Sequence, residues 1–406
     1  MMYKIKACHI SSIGFNIRAF FKGQFDFLRN HGWDYTVVTS EPSREGLGLP
    51  DDCEYVSIPV TRRFTPIIDL IAIYRLYRLF HKGAYDLVQY TTLKGSILGS
   101  IAAFFAKIPV RLYLMRGAYY MGQSGLKRKL FKMLDTLICR LSTHIEFDGF
   151  QIRKFAINEG LCRMQKTSVI GEGSDNGVDT ILFNKDRHLE EGRSIRSRYG
   201  IGEKAVVIGS VMRIVTDKGI NELVDAFTGI YLKDNNVFLL LVGREEEKNA
   251  PRKDIIEKIR SHSQIISVGQ QDNVAPYYAA MDIFSLPTYR EGFSAVNLEA
   301  AAMQLPVVTT DIIGARDSIV DGVTGMVVSA RDSGQLKTAI LRLVNNSDLR
   351  KNMGISGRKW VEEKFEQQKF WRELLKEREE LILSTHKIES SFGMREEGKS
   401  ESFFIR

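Results

Sequence analysis

Two glutamates separated by seven residues, Glu291 and Glu299, lie in the segment REGFSAVNLEAAAMQLPVVTT. A Gly-Phe turn follows the first glutamate, and a helix is predicted to begin near Ser294, so that the second glutamate lies well inside the helix. At helical rise the two carboxylates could be as much as about 12 Å apart. The two carboxyl groups of a glycosidase flank one bond at roughly 5 to 9.5 Å. The spacing therefore argues against a glycosidase.

The same segment suits a nucleotide diphosphate. Backbone N–H groups of Gly292, Phe293 and Ser294 open the predicted helix, and a helix N-terminus favours phosphate. Glu299, deeper in the helix, can accept hydrogen bonds from ribose hydroxyls. Taken alone, such a pair of glutamates is more often a turn residue and a solvated helix residue.

A second cluster consists of Arg213 and Lys218, in the segment GSVMRIVTDKGINELVDAF. Both follow a predicted strand, at the carboxyl end where α/β proteins bind ligands. A departing diphosphate gains negative charge as its bond to a sugar breaks, and fixed cations stabilise that charge. The alternative for this pair alone is a solvated surface position.

The elements that must position these residues alternate between strand and helix along the chain of 406 residues. Strand-like runs separated by helical periods predict two doubly wound α/β domains with parallel sheets. We place them at residues 1–182 and 183–365, joined through the glycine-bearing stretch GEGSDNGVDT at 171–180. A helix over 366–386 could pack back on the first domain, and residues 387–406 are expected to be a disordered tail.

Residues 205–328 resemble the nucleotide-binding half of the family-four retaining glycosyltransferases of the GT-B fold, and the rest of the chain resembles the family more weakly. Within this family the sequence is most similar to bacterial enzymes that build capsular, O-antigen and lipid-linked glycans. The resemblance implies two facing Rossmann-like domains with a cleft between them. It also implies that a nucleotide diphosphate sugar, with uridine as its base, is the donor and that no cofactor is needed.

The resemblance assigns roles to the residues already singled out. It implies that Arg213 and Lys218 bind the donor diphosphate, that residues 291–294 surround the donor sugar, and that Glu299 holds the ribose. It also implies that Gly243, Arg244 and the stretch 267–269, which includes Val268, lie near the base.

The first domain departs from the family in two loops. Many relatives have a glycine pair after the first strand, where this chain has Ser11, Ser12, Ile13 and Gly14. We therefore expect Gly14 to provide the donor-phosphate contact of that loop. Many relatives also have a histidine near the end of the fourth strand, where this chain has Arg116 in MRGAYY. Because its guanidinium stays protonated, Arg116 cannot be a base, and we interpret it as a positive group that faces donor or acceptor phosphates.

In retaining members of the family, the expected reaction is a front-face attack in which a donor phosphate oxygen accepts the proton of the acceptor hydroxyl. No protein nucleophile is then needed. Metal-dependent glycosyltransferases hold a divalent cation with an Asp-x-Asp sequence, which this chain lacks. We expect a metal-independent enzyme.

The net charge of +8 comes from the first half of the chain. Residues 94–140 hold nine basic residues and one acid, Asp135. We expect this region to contact an anionic surface, with Lys127, Arg128, Lys129 and Lys132 holding the enzyme on the inner face of the plasma membrane. The longest apolar run, at 97–106, is about half of the ~20 residues that a transmembrane helix needs. The N-terminal segment is expected to be a first strand rather than a signal peptide. The four cysteines show no paired Cys-x-x-Cys spacing, which fits a cytoplasmic protein.

Two other functions compete with glycosyl transfer. A basic nucleic-acid-binding protein would interleave aromatic residues with the cations of a known module, and no such module is present, so we expect no nucleic-acid partner. A nucleotide-sugar epimerase of the same two-domain fold is the alternative among enzymes. The formation of free nucleotide diphosphate only in the presence of acceptor would distinguish transfer from epimerisation.

Overall fold

The computed structural model describes residues 4–60 and 64–400, and for Tyr119 and residues 386–400 it describes the backbone alone. The chain forms two compact units. The first unit is built from the chain up to Asp148, from Arg153–Ile170 and from the chain after Lys369. The second comprises Gly149–Ile152 and Gly171–Lys369.

The described residues alternate between strands and helices, as the sequence predicts. The strands are β1 Ile5–Ile10, β2 Trp33–Thr39, β3 Glu54–Ser57, β4 Leu87–Tyr90, β5 Val110–Met115, β6 His144–Phe147, β7 Thr167–Val169, β8 Val206–Val211, β9 Val237–Val242, β10 Ile265–Ser267, β11 Ile283–Leu286, β12 Val307–Thr310 and β13 Gly325–Val328. The α-helices are α1 Gly14–Phe20, α2 Gln24–Asn30, α3 Pro66–Gly83, α4 Leu93–Phe105, α5 Gly125–Leu141, α6 Phe150–Asn158, α7 Leu189–Arg198, α8 Ile220–Tyr231, α9 Lys253–Ser261, α10 Ala275–Ala279, α11 Ala295–Ala302, α12 Ser333–Val344, α13 Ser347–Lys364 and α14 Gln367–Ser400. Short 3₁₀ helices lie at Tyr119–Gly122, Met164–Lys166, Lys185–His188, Thr216–Lys218 and Arg316–Ser318.

Each unit contains one parallel sheet. The strand order is β3-β2-β1-β4-β5-β6-β7 in the first sheet and β10-β9-β8-β11-β12-β13 in the second. Strands β4, β11 and β12 are buried along their whole length, because helices cover both faces of a parallel sheet. In each sheet, the direction in which successive strands are added reverses once. The reversal lies between β1 and β4 in the first sheet and between β8 and β11 in the second. In such sheets, ligands bind outside the carboxyl ends of the strands at the reversal.

The C-terminal helix α14 packs on the first unit. Phe370, Trp371 and Leu374 join the core that surrounds the buried Trp33. Further along α14, the fully buried guanidinium of Arg378 pairs with Glu146 of β6. Removing one partner of a buried ion pair costs about 3 to 5 kcal/mol, so this pair fixes α14 to the sheet.

The structure divides the chain differently from the predicted domain bounds. The second unit begins at Gly171 rather than after residue 182, because the expected linker is anchored there. The buried Val178 donates its backbone N–H to the carbonyl of Phe365 at 2.7 Å. The helix α14 continues to Ser400, where a disordered tail was expected from residue 387. No proline interrupts the helical hydrogen bonds of that stretch, and residues 401–406 lie outside the described residues.

Candidate functional site

The loops that follow β8 and β11 lie side by side in the second unit, at the reversal of the strand order. Strands β8 and β11 pair directly. Beyond their ends, the backbone N–H of Tyr289 donates to the carbonyl of Asp217 at 2.9 Å. Gly219 follows with φ +74, and a Cβ at this position would lie 1.9 Å from the carbonyl oxygen of Pro287. Only glycine tolerates this close approach, which brings the loop of Lys218 against the loop of Glu291.

Lys218 and Glu291 form an ion pair across the two loops. Both side chains are mostly buried, with 17% and 15% of their surface exposed. Two candidate site residues from separate segments of the sequence are therefore direct neighbours. Their charges compensate each other, and the ammonium group of Lys218 is held at the sheet edge.

Arg213 lies in the loop after β8 and is oriented by a residue that the sequence analysis missed. Glu246 accepts from Arg213 at 2.7 Å and forms a second ion pair with Arg244 at 2.6 Å. Burial raises the pKa of Glu246, but the hydrogen bonds and charges of the two arginines outweigh it, so this pKa lies below its ordinary value. Glu246 thus bridges the ends of β8 and β9 and stays ionised.

The residues predicted near the base follow the adjacent strands β9 and β10. A Cβ at Gly243 would lie 1.8 Å from the carbonyl oxygen of Met212, so glycine is required where the two loops touch. The N–H of Gly243 donates to the carbonyl of Gly269, and that of Val268 donates to Leu241. Gly243, Arg244 and Val268 are therefore brought together at the same edge as Arg213.

The segment 292–294 forms the entry to α11. Ser294 is the N-cap residue, as the sequence predicted to within one residue. Phe293 is buried, and Gly292 contacts Gly314, at which a Cβ would lie 2.2 Å from the Gly292 carbonyl oxygen. The N–H of Ser294 donates to the carbonyl of Gly314 at 3.3 Å. The prediction that all three N–H groups are available to phosphate is therefore wrong for Ser294, because the neighbouring loop uses its N–H.

The hydroxyl of Ser294 is buried and has no hydrogen-bond partner in the part of the chain that the structure describes. A buried hydroxyl without a partner costs free energy. It is available to a ligand at the N-terminus of α11. The loop therefore presents a side-chain donor at the position where the backbone donor is already used.

Glu299 lies one turn into α11 and is half-buried. Its carboxylate accepts from the hydroxyl of Tyr278, on α10, at 2.9 Å. Burial raises the pKa of Glu299 to about 7, although the hydrogen bond from Tyr278 acts in the opposite direction. The alternative of a freely solvated helix residue is therefore wrong.

Gly14 and Arg116 belong to the first unit. Gly14 begins α1, and its N–H donates to Glu41 Oε1 at 3.3 Å. The guanidinium of Arg116 lies 4.7 Å from the ring centre of Phe21, in a cation–π arrangement. Burial, followed by the charge of Arg116, lowers the pKa of the adjacent His9 well below its ordinary value, so His9 is a neutral core residue.

The structure adds three residues to those that sequence reasoning found: Glu246, Tyr278 and Gly314. Glu246 stands in the acidic run REEEK after β9, where charge alone did not distinguish it from its neighbours. Across the described residues, no cluster of His, Cys, Asp or Glu that could hold a metal ion is found. Nor does any described helix have the length and hydropathy to cross a membrane.

Comparisons with known proteins agree with this fold. The family model "Glycosyl transferases group 1" matches residues 192–360, and "Glycosyl transferase 4-like" matches residues 9–145. The capsular polysaccharide biosynthesis glycosyltransferase CapM of Staphylococcus aureus is 33% identical over 354 residues, which cover 87% of this chain and 91% of CapM. The Escherichia coli UDP-Gal:alpha-D-GlcNAc-diphosphoundecaprenol alpha-1,3-galactosyltransferase is 24% identical, over 85% of this chain and 89% of that protein.

Among solved structures, Anabaena HepE in complex with UDP superimposes with a TM-score of 0.76 at 17% identity, covering 93% of this chain and all of HepE. Two parallel-sheet Rossmann-like domains are the architecture of the GT-B fold. The chain belongs to the group 1, type 4-like glycosyltransferases.

Proposed function

We propose that this glycosyltransferase is metal-independent and retaining, and that it moves a sugar from a UDP-sugar to a hydroxyl of a lipid-linked glycan during the assembly of a bacterial surface polysaccharide. One observation carries the proposal. Arg213, the Lys218–Glu291 pair and the entry to α11 lie at one edge of the second sheet, next to the β8–β11 reversal. The edge combines cations, a helix N-terminus and a carboxylate.

In the proposed reaction, the acceptor oxygen attacks the anomeric carbon on the face from which the diphosphate departs. The bond between that carbon and the phosphate oxygen breaks, and the acceptor proton passes to a phosphate oxygen. Arg213 and Lys218 stabilise the charge that develops on the diphosphate. One fixed donor of this kind contributes about 10² to 10³ in turnover.

Binding of the donor is assigned to the neighbouring residues. Glu291, Gly292, Phe293 and Ser294 surround the sugar, with the buried Ser294 hydroxyl available to it, and Glu299 binds the ribose. Gly243, Arg244 and Val268 line the place of the base. In the first unit, Gly14 and Arg116 are proposed to contact donor or acceptor phosphates. Glu41 accepts the N–H of Gly14 and would have to move.

The relatives support the choice of donor and acceptor. The name of the E. coli relative specifies UDP-Gal as its donor and a diphosphoundecaprenol-linked sugar as its acceptor. HepE was solved with UDP. Other relatives use GDP-mannose, according to their names. A donor panel must therefore include both nucleotides.

We propose further that the basic first half holds the enzyme on the inner face of the plasma membrane. The four cations assigned to this contact, Lys127, Arg128, Lys129 and Lys132, lie on α5. Glu159 pairs with Arg128 at 3.2 Å and with Lys132 at 2.8 Å. This carboxylate offsets part of the positive charge of α5, so we expect these four cations to contribute less than about 1 kcal/mol each.

A transfer assay tests the proposal. The purified chain is incubated with UDP-sugars and GDP-mannose, with and without undecaprenyl-diphosphate-linked sugar acceptors. We expect release of free UDP that requires acceptor, and NMR of the product should show the anomeric configuration of the donor. Release without acceptor, or conversion of the donor into its epimer, would favour the epimerase alternative. A product of inverted configuration would contradict the retaining mechanism.

A further inference from the structure

We propose that Tyr289 is a positioning residue of the transfer reaction, because its side chain fixes the loop that carries Glu291. The hydroxyl of Tyr289 is bound by Glu222, and its ring is covered by Arg331. The proposal rests on the proposed function, in which residues 291–294 surround the donor sugar. Tyr289 acts through Glu291 and contacts neither donor nor acceptor itself.

The segment between β11 and α11, residues 287–294, contains neither helix nor strand. Its backbone therefore lacks the repeated hydrogen bonds that fix a regular element, and its shape depends on contacts with neighbouring segments. This segment places Glu291 against Lys218 and leads into the N-cap residue Ser294. The position of the proposed sugar site thus depends on how the loop is anchored.

The first anchor is Asp217, which immediately precedes Lys218. The hydroxyl of Thr288 donates to the carbonyl of Asp217 at 3.2 Å, and the N–H of Tyr289 donates to the same carbonyl at 2.9 Å. The carboxylate of Asp217 pairs with Arg290 at 3.2 Å. Three consecutive residues of the loop are therefore bonded to the residue next to Lys218.

The second anchor is the hydrogen bond between the side chain of Tyr289 and α8. The Tyr289 hydroxyl donates to Glu222 Oε1 at 2.6 Å, in the first turn of that helix. Burial, followed by this hydrogen bond, raises the pKa of Tyr289 well above its ordinary value, so the hydroxyl remains a donor at neutral pH. A hydrogen bond to a carboxylate is roughly twice as strong as one between neutral groups. The bond ties the loop to the helix that follows Lys218.

Arg331 holds the ring of Tyr289 from another direction. Its guanidinium carbon lies 4.0 Å from the ring centre, in a cation–π arrangement. Arg331 lies between β13 and α12 and has φ +65, a left-handed conformation that is uncommon for residues other than glycine. Such strain persists where the surrounding structure fixes a residue, and it concentrates at functional sites. Tyr289 is thus held both by α8 and by the loop after β13.

Glu222 depends on this contact in turn. Its second carboxylate oxygen is buried and has no hydrogen-bond partner in the part of the chain that the structure describes. An unpaired buried oxygen is unfavourable. If the Tyr289 hydroxyl were removed, Oε1 would lose its donor as well. We therefore expect the loop to separate from the start of α8 in such a variant.

Matched variants of the full chain test the proposal. Tyr289→Phe removes the hydroxyl and keeps the ring under Arg331. Glu222→Gln keeps an oxygen that can accept from Tyr289, whereas Glu222→Leu removes it. The control is Tyr85→Phe, because the buried Tyr85 of the first unit donates to Thr36 at 2.8 Å. Single-turnover transfer, UDP affinity and thermal unfolding are measured for each protein.

Tyr289→Phe and Glu222→Leu should each slow transfer from the bound donor by about 10- to 100-fold, the scale of a displacement of about 1 Å or less. UDP affinity should stay within about twofold of the wild type, since UDP lacks the sugar that the loop surrounds. Glu222→Gln should transfer within about threefold of the wild type, because its amide oxygen still accepts the hydrogen bond. Combining Tyr289→Phe with Glu222→Leu should slow transfer no further than either change alone, because both remove the same bond.

The control separates positioning from a loss of stability. Tyr85→Phe and Tyr289→Phe should both lower the Tm slightly, since each removes one hydrogen bond, but only Tyr289→Phe should slow transfer. A lowered Tm with wild-type transfer for Tyr289→Phe would reveal a structural role alone and overturn the proposal. Additive losses in the double variant would also overturn it, because Tyr289 would then act independently of Glu222.

Two other outcomes have defined meanings. Weakening of UDP binding by Tyr289→Phe as large as its effect on transfer would place Tyr289 in the nucleotide site and overturn the positioning role. Absence of acceptor-dependent transfer by the wild type with every donor would overturn the proposed function, and the positioning role with it. Transfer by the wild type together with equal transfer by Tyr289→Phe would overturn the positioning role alone.

Discussion

The carboxylate of Glu299 and the hydroxyl of Tyr278 are joined by a hydrogen bond of 2.9 Å between two helices of the second unit. Because burial raises the pKa of Glu299 to about 7, the ligand-free protein holds a proton on this carboxyl group up to about neutral pH. The raised pKa favours folding at low pH, and this contribution is lost as pH rises through about 7. Ribose hydroxyls, in contrast, donate best to the ionised form.

UDP affinity should therefore increase as pH rises through about 7, the pKa of Glu299. Calorimetric titration with UDP from about pH 6 to about pH 8 measures this. The variant Glu299→Gln should weaken binding above neutral pH by roughly 1.5 to 3 kcal/mol and should flatten the pH dependence. The titration of UDP itself affects the measurements on both proteins equally. The difference between their two pH profiles of UDP affinity therefore isolates the contribution of Glu299. Parallel pH profiles for the two proteins would remove Glu299 from the ribose role.

Glu246 neutralises two arginines of the proposed diphosphate site. In the variant Glu246→Gln, UDP should bind about 3- to 10-fold more tightly at low salt, since a competing carboxylate near the surface contributes about 1 kcal/mol. Turnover should fall, because Arg213 loses the partner that orients it. The matched control is Glu245→Gln, which removes the neighbouring carboxylate that pairs with Arg260. Equal effects of both variants on UDP affinity would show a general charge effect and no particular role for Glu246.

Gly219 permits the contact between the two site loops. The variant Gly219→Ala should lower the free energy of unfolding by at least about 1 to 3 kcal/mol, the range for a residue forced into a strained conformation. Its Cβ would also lie 1.9 Å from the carbonyl oxygen of Pro287. The control is Gly202→Ala, where the added Cβ meets no atom within 4 Å. Urea unfolding compares the two, and equal stabilities would show that the loops do not need this glycine.

The sequence predicted the alternation of elements, the two parallel sheets and the entry to α11, because these depend on local periodicity and turn chemistry. It also predicted which charged residues lie at the sheet edge, since strand ends fix their position along the chain. It could not predict that Lys218 pairs with Glu291, or that Glu246 bridges Arg213 and Arg244. These pairings depend on how non-consecutive strands become neighbours.

The raised pKa of Glu299 could not be predicted from the sequence either. It arises from burial against α10, and Tyr278 is 21 positions away along the chain. The use of the Ser294 N–H by Gly314 has the same origin, because it requires a loop from the next strand to fold over α11. Contacts between distant segments, rather than local signals, decide the protonation and hydrogen bonding of the site.

The proposed charge stabilisation uses side chains and a helix N-terminus. Transfer should therefore persist in excess chelator, at a rate within about twofold of the untreated enzyme. The assay follows acceptor-dependent UDP release with and without chelator. Activity that is abolished by chelator and restored by manganese or magnesium would contradict metal independence, while leaving the assignment of the donor site intact.

Arg213 and Lys218 are proposed to stabilise the departing diphosphate, and single-turnover transfer by alanine variants measures this role. Arg213→Ala and Lys218→Ala should each lower the rate of transfer from the bound donor by about 10² to 10³, with unfolding transitions like that of the wild type. Arg260→Ala, which removes an exposed arginine of the same unit, should transfer normally. Rates within threefold of the wild type for folded Arg213→Ala and Lys218→Ala would show that these two cations do not stabilise the departing diphosphate.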